Sequence, residues 1–267
     1  MSTDKVLYEQ RIKNLETELQ KATNTLTEYK KNYEEFILIA SHDLQAPLRK
    51  VSTFIEKLIG EFQDAQMQEA KPYIDRIQAS LTNMRSMVDS LSELSAVTET
   101  KPDFQKCDLN QIAQNIIEET QPSTSENQTT ITYSPLPIIE GNCTQLKHLF
   151  QNLINNSIKF RKKDTSLQIN IDSKQIHEEE KIAFNLSSGK TFYKIELTDN
   201  GIGFEDQYAE KIFDPFHRLH GKSEYDGSGL GLAICKKIME KHNGIIYAKG
   251  SKISGARFIL ILPQTVD

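Results

Sequence analysis

A histidine followed directly by a carboxylate, His42-Asp43, stands in the first fifth of the chain. The apolar residues around it, Phe36, Ala40, Leu44, Leu48 and Val51, recur at helical spacing. Two helical steps turn about 200°, so His42, two residues from both Ala40 and Leu44, faces away from that stripe. Pro47 withdraws a donor from the Asp43 carbonyl and crowds it, which predicts a kink beside His42. An exposed imidazole with an adjacent carboxylate suits a nucleophile that another domain must reach. Taken alone, the pair is equally a surface histidine on an ordinary helix.

Four downstream pieces carry phosphate and metal chemistry. In Asn152-Leu153-Ile154-Asn155-Asn156-Ser157-Ile158-Lys159-Phe160, the two asparagines Asn152 and Asn156 share a helix face, and Lys159 is within reach of the same ligand. An amide oxygen is a hard donor for Mg²⁺ and a lysine meets a phosphate. Asp199-Asn200-Gly201-Ile202-Gly203 directly follows an expected strand. A carboxylate there can accept from an amino group such as that of adenine, and the glycines let a ligand approach the backbone. Phe213 to His220 forms the loop that follows. Gly227-Ser228-Gly229-Leu230-Gly231-Leu232 opens the last helix, and backbone N–H groups at such a terminus attract anions. The spacing is neither the Rossmann nor the P-loop pattern. Each piece alone is a common turn or cap; in this order they support one another.

These pieces need elements to position them. Tyr8, Ile12, Leu15, Leu19, Ala22, Leu26, Tyr29, Tyr33 and Phe36 follow steps of four and three, the seam of a left-handed coiled coil. The steps then lengthen through Ala40, Leu44 and Leu48, on the turns that carry His42, before resuming at Val51, Ile55, Leu58 and Phe62. Gly60 to Lys71 reads as a polar connection, with Pro72 opening a second helix through Ile74, Ile77, Leu81, Met84, Val88, Leu91 and Ser95. A lone hairpin leaves its seam half covered, so two chains are expected to close a four-helix bundle. The periodicity stops near Val97 to Pro102.

Beyond that boundary strands and helices alternate. Helices are expected from Leu109 to about Glu119, Thr144 to Phe160 and Leu230 to His242. Strands are expected at Thr129–Tyr133, Ile138–Glu140, Leu167–Ile171, Phe192–Thr198, Gly244–Lys249 and Ala256–Leu262. The charged run His177 to Lys181 reads as a solvated excursion. The domain is then α+β, with helices stacked on a largely antiparallel sheet.

Composition excludes little but points consistently. A chain of 267 residues holds one to three domains, and its net charge of −5 gives no electrostatic reason to expect nucleic acid. Cys107, Cys143 and Cys235 show no metal-like spacing and are expected to pack as free thiols in a reducing cytoplasm. No apolar run approaches the length of a membrane span, and no signal peptide is evident. The polypeptide therefore reads as cytoplasmic unless a partner tethers it.

At this point the chain resembles the sensor histidine kinases of two-component signalling, over about residues 33 to 263. Ser41-His42-Asp43-Leu44 with Pro47-Leu48 is similar to that family's H box and the asparagine helix to its N box. Asp199 to Gly203 resembles the first glycine box, Phe213 to Phe216 the F box, and Gly227 to Gly231 the second glycine box. Gln45-Ala46-Pro47-Leu48-Arg49, Lys159-Phe160-Arg161 and Arg218-Leu219-His220 are most similar to the branch attached to PAS or phytochrome sensors. No such sensor is recognisable in the chain.

The resemblance implies a coiled-coil signalling helix (1–35), a dimerisation and phosphoacceptor hairpin (36–98) and a Bergerat-type ATP-binding α+β sandwich (99–267). It implies a lid from about Phe204 to Ser228, a homodimer, ATP and Mg²⁺ as cofactors, and a separate response-regulator receiver as partner. His42 would attack the γ-phosphate, with Asp43 as base or orienter. Asn156 would hold Mg²⁺ supported by Asn152, Lys159 would contact phosphate, and Phe160 would pack by the base. Asp199 would read adenine, and Gly201, Gly203, Gly227, Gly229, Leu230 and Gly231 would shape the pocket. Many relatives carry threonine or asparagine four residues after the histidine, where it helps to dephosphorylate the receiver; here that position is Ala46. The rival expectations are a Bergerat-type ATPase without histidine chemistry and an inactive dimeric scaffold.

Overall fold

The computed structural model describes residues 11, 15–16, 19–23, 25–26, 44–45, 48–60, 64–99, 103–124, 129–219 and 228–265. Tyr8, Ile12, Tyr29, Tyr33 and Phe36 of the expected seam lie outside these residues, as do His42, Asp43, Ala46, Pro47 and Gly227. The described residues at 15–16, 19–23 and 25–26 are helical, and Leu19 and Leu26 are each 70% exposed.

Two helices form a hairpin, α1 (residues 48–60) and α2 (Asp64–Glu99). The second helix starts eight residues before Pro72, which lies inside it. A proline there costs one hydrogen bond, which a 36-residue helix absorbs. The expected seam is divided between two surroundings. Ile74, Leu81 and Val88, spaced by seven, are buried, while Ile77 and Met84 between them stay exposed. On α1, Leu48, Ser52, Ile55 and Ile59 are half-buried, but Val51, Phe54 and Leu58 face out.

An α+β domain follows as β1 (Gln105–Asp108), α3 (Leu109–Thr124), β2 (Thr130–Tyr133), β3 (Ile138–Gly141), α4 (Cys143–Lys159), β4 (Gln168–Gln175), α5 (Glu178–Ala183), β5 (Phe192–Asp199), α6 (Gly231–Lys241), β6 (Ile245–Ser251) and β7 (Gly255–Pro263). Asp108 opens α3 by accepting from the Asn110 backbone N–H at 2.9 Å. Asn142 caps α4 by accepting from the Gln145 N–H at 3.0 Å. Five strands form one sheet in the order β2-β4-β5-β7-β6, antiparallel except for the β2–β4 pair. The inward faces of α3, α4 and α6 supply the apolar core with Ile116, Leu149, Phe150, Leu153, Ile154 and Ile238, against Ile169, Ile171, Ile195, Leu197 and Leu260 from the strands.

Three expectations change. Gln105–Asp108, too short to show a period, is a strand that pairs antiparallel with β3 in a separate two-stranded sheet. That pairing sets Cys107 opposite Ile139 and beside the start of α4, and Cys107 and Cys143 are joined as a disulfide rather than packed as free thiols. A sequence separation of 36 hides such proximity until the strand is known. The charged run after β4 is exposed over His177–Glu179, as expected, but forms a short helix, α5, that turns Lys181 inward. Lys181 is only 6% exposed and donates to Glu178 Oε1 and to the Lys190 carbonyl, each at 2.6 Å. Phe184 and Leu186 close a small second core with Ile176, Phe192 and Ile261.

α2 does not stop at the domain boundary. Val97 is buried in the core of the α+β domain, and Leu91 and Leu94 pack against it beside α6.

Candidate active site

α4 is amphipathic because its apolar residues follow the helical period, and its other face opens on a cavity of about 530 Å³. Steps of four and three bring Asn152, Asn156 and Lys159 along that face. Phe160 ends the helix, with Lys159 Nζ 4.7 Å from its ring centroid. Opposite stand Asp199 at the end of β5 and Gly203 just after it, and Gly229 and Gly231 at the start of α6.

The phase of β5 places Asp199. Ile195, Leu197 and Asp199 are buried at every second position, so the carboxylate continues the inward row beneath α4. It is 5% exposed, and both of its oxygens accept hydrogen bonds. Oδ1 accepts from the backbone N–H groups of Gly201 at 2.9 Å and Ala256 at 3.1 Å, and Oδ2 accepts from Ser157 Oγ at 2.9 Å. A carboxylate held by three donors keeps a fixed orientation and has lone pairs left for one more.

Two of the glycines are required by space. At Gly203, φ is +62° and an added Cβ would lie 2.0 Å from the Ser251 carbonyl oxygen. At Gly229, φ is +75° and the Cβ would meet the Phe216 backbone at 3.2 Å. Phe216 itself adopts a left-handed φ of 63°, and its N–H donates to the Gly229 carbonyl at 3.0 Å. The two loops thus hold each other beside the cavity, with the Phe216 backbone in a costly conformation.

The amide of Asn152 leaves Nδ2 buried and without a hydrogen-bond partner, in the wall of the cavity. An unpaired buried donor suits a ligand that brings acceptors, such as phosphate oxygens. Among the described residues no group of three or more His, Cys, Asp and Glu is placed to hold a metal. On the ligand face of α4 the amides of Asn152 and Asn156 offer oxygen donors. They fit a hard cation such as Mg²⁺, which takes one or two protein oxygens and completes its shell with phosphates and water.

The structure therefore brings together Asn152, Asn156, Lys159, Phe160, Asp199, Gly203, Gly229 and Gly231. Gly201 stands behind the wall, where a Cβ would press on the Phe160 carbonyl oxygen at 2.6 Å. Leu230 is fully buried in the core, so it supports the loop rather than facing a ligand. Phe204, Ile212 and Phe213 of the expected lid are packed into the core as well.

Sequence reasoning missed Ser157, although a polar residue at a buried position of an otherwise apolar stripe was a usable signal. It also missed His148, one turn before Asn152. The contribution of α2, through Ser86, Ser90 and Glu93, was not signalled at all.

Comparison with known proteins gives this geometry a family. Residues 141–266 match the family described as histidine kinase-, DNA gyrase B-, and HSP90-like ATPase. Cyanobacterial phytochrome A of Nostoc sp. is 32% identical over 92% of this chain and 30% of its own length. Sensor protein kinase WalK of Staphylococcus aureus is 28% identical over 87% of this chain and 37% of its own. The chain spans about a third of the length of the curated relatives it matches. Full-length ShkA, solved in complex with AMPPNP, shares the fold with a TM-score of 0.64 at 20% identity, over 87% of this chain and 46% of that one. The histidine kinase ThkA in complex with the response regulator TrrA gives 0.56 at 20% identity, over 86% and 61%. Residues 141–266 thus form an ATPase domain of the histidine kinase, gyrase B and HSP90 family, preceded by a helical region, in a chain similar over most of its length to sensor histidine kinases.

Proposed function

We propose that the chain is an ATP-dependent protein-histidine kinase that phosphorylates itself on His42 and passes the phosphoryl group to an aspartate of a response-regulator receiver. The observation that carries the reading is the convergence of the asparagine face of α4, the anchored Asp199 and the glycine loop of α6 on one cavity, one wall of which is α2.

In this reading Asp199 accepts from the adenine amino group, and Ser157 with the Gly201 and Ala256 amides keeps its carboxylate oriented. Phe160 packs by the base. Lys159 and the amides around Gly229 and Gly231 take the phosphates, and Asn156, supported by Asn152, holds Mg²⁺. The cation, when bound, neutralises phosphate charge. A ring nitrogen of His42 forms a bond to the γ-phosphorus as the bond to the β–γ bridging oxygen breaks, and ADP leaves. Asp43 bonds the other ring nitrogen, fixes the tautomer and takes the proton. The reaction is mostly positioning and charge neutralisation. The labile N–P bond then breaks as an aspartate oxygen of the receiver attacks.

We infer that the working form is a homodimer. Val51, Phe54 and Leu58 on α1 with Ile77 and Met84 on α2 leave an apolar face uncovered, as expected of half a four-helix bundle. The heptad seam before it reads as a coiled coil over residues 1–35, followed by the hairpin at 36–98 and the catalytic domain at 99–267. The solution of one fold neighbour with a response regulator supports a receiver as partner. We propose a cytoplasmic location; among the described residues no helix is long and apolar enough to cross a membrane.

The test removes the metal ligand. Asn156→Ala is expected to lose Mg-nucleotide binding or autophosphorylation, by tenfold or more at roughly 1.4 kcal/mol per decade, while the protein stays dimeric. Wild-type activity in that variant would show the assignment to be wrong.

A further inference from the structure

α2 contributes Ser86, Ser90 and Glu93 to the cavity wall, so its one charged group there is Glu93. The Glu93 carboxylate lies against Nδ1 of His148, a contact between the hairpin and the α+β domain that becomes an ion pair when the imidazole is protonated; the side chains are 26% and 39% exposed. His148 extends the ligand face of α4 by one turn beyond Asn152. α4 thus runs from Asp199, held by Ser157 on its buried side, to Glu93, met by His148. Nine residues of helix separate those ends, about 13.5 Å at 1.5 Å per residue. The glycine loop lies between them, since an ideal Cβ on Gly231 would sit 3.5 Å from Asn152 Oδ1. A nucleotide with its base at Asp199 and its phosphates at this loop therefore directs its terminal phosphate toward His148. That phosphate attracts the imidazole and repels the carboxylate that holds it.

We propose that Glu93 and His148 form a latch between α2 and the catalytic domain, opened by the terminal phosphate of a nucleoside triphosphate, which takes His148 from Glu93. The proposal rests on the reading of the cavity as a nucleotide site and adds a residue that distinguishes triphosphate from diphosphate. While latched, α2 also holds the glycine loop, because Ser228 Oγ donates to Ser90 Oγ at 3.1 Å. The latch keeps an unloaded domain against α2. A third phosphate releases it, and a diphosphate does not reach far enough to do so.

The test compares affinities of the full chain for AMPPNP and ADP, both with Mg²⁺, by calorimetry. Glu93→Gln keeps the shape and removes the charge. It is expected to tighten AMPPNP about fivefold, the lower end of ordinary coupling between sites, and to change ADP less than twofold. His148→Gln is expected to weaken AMPPNP by a similar factor and again to spare ADP. Hydrogen exchange of residues 86–97 should rise on adding AMPPNP and not on adding ADP. Equal effects on both nucleotides, or none on either, in both variants would overturn the latch while leaving the nucleotide site intact. A wild-type protein that binds neither nucleotide would overturn the reading of the cavity and the latch with it.

Discussion

His242 sits fully buried just after α6 and uses both ring nitrogens. The Asn142 N–H donates to Nε2 at 3.0 Å, so Nδ1 carries the proton of the neutral ring and donates to the Ile238 carbonyl at 2.8 Å. It thereby ties the end of α6 to the cap of α4. Burial pushes its pKa below the ordinary value, only partly opposed by the Ile238 hydrogen bond. As pH falls through about 6.5, the unfolded chain takes up a proton that the folded ring resists, so stability falls until the lowered native value is reached. Urea unfolding between pH 7.5 and 5.5 should show this loss in the wild type, with a smaller slope in His242→Gln. Equal slopes would place the titration elsewhere. A second residue prediction concerns Ala46. A methyl group neither donates nor accepts, and the neighbouring amide of Gln45 is already given to Asp89 Oδ1 at 3.2 Å. The chain should therefore phosphorylate its receiver yet dephosphorylate it poorly. Phospho-receiver mixed with kinase and ADP should decay near its intrinsic rate; fast decay retained in His42→Ala would contradict this. Asp199 was legible because a carboxylate followed by two glycines ends an alternating strand. Its anchors were not, because Ser157 and the Ala256 amide are brought to it only by folding.

α1 and α2 show which elements a sequence specifies. Long periodic segments were legible, and α4 and α6 fall within one residue of expectation at each end. The start of α2 was misplaced because Pro72 reads as a beginning, although a long helix also carries a proline within it. The four-residue β1 has too few residues for a period, and with it the Cys107–Cys143 link stayed hidden. The pattern of seven in Ile74, Leu81 and Val88 bears on the segment before it. If the seam from Leu15 to Leu26 runs on toward the hairpin, its phase sets that of the His42 helix. One residue inserted near Thr23 turns everything downstream by about 100° and should change autophosphorylation severalfold, whereas seven should restore it. Activity indifferent to insertion length would reduce the segment to a clamp.

The molecule as a whole is a helical hairpin whose second helix runs into the core of the catalytic domain and walls its cavity. That docking was illegible because Ser86, Ser90 and Glu93 occupy polar helix positions that look solvated until a partner surface meets them. The central claim is that this cavity loads phosphate onto the hairpin. Incubation of the full chain with γ-labelled ATP and Mg²⁺, followed by acid and alkali treatment, tests it directly. The account predicts an acid-labile, alkali-stable label on His42 that is absent in His42→Ala. A label that survives in His42→Ala, or ATP hydrolysis with no label on the chain, would contradict it.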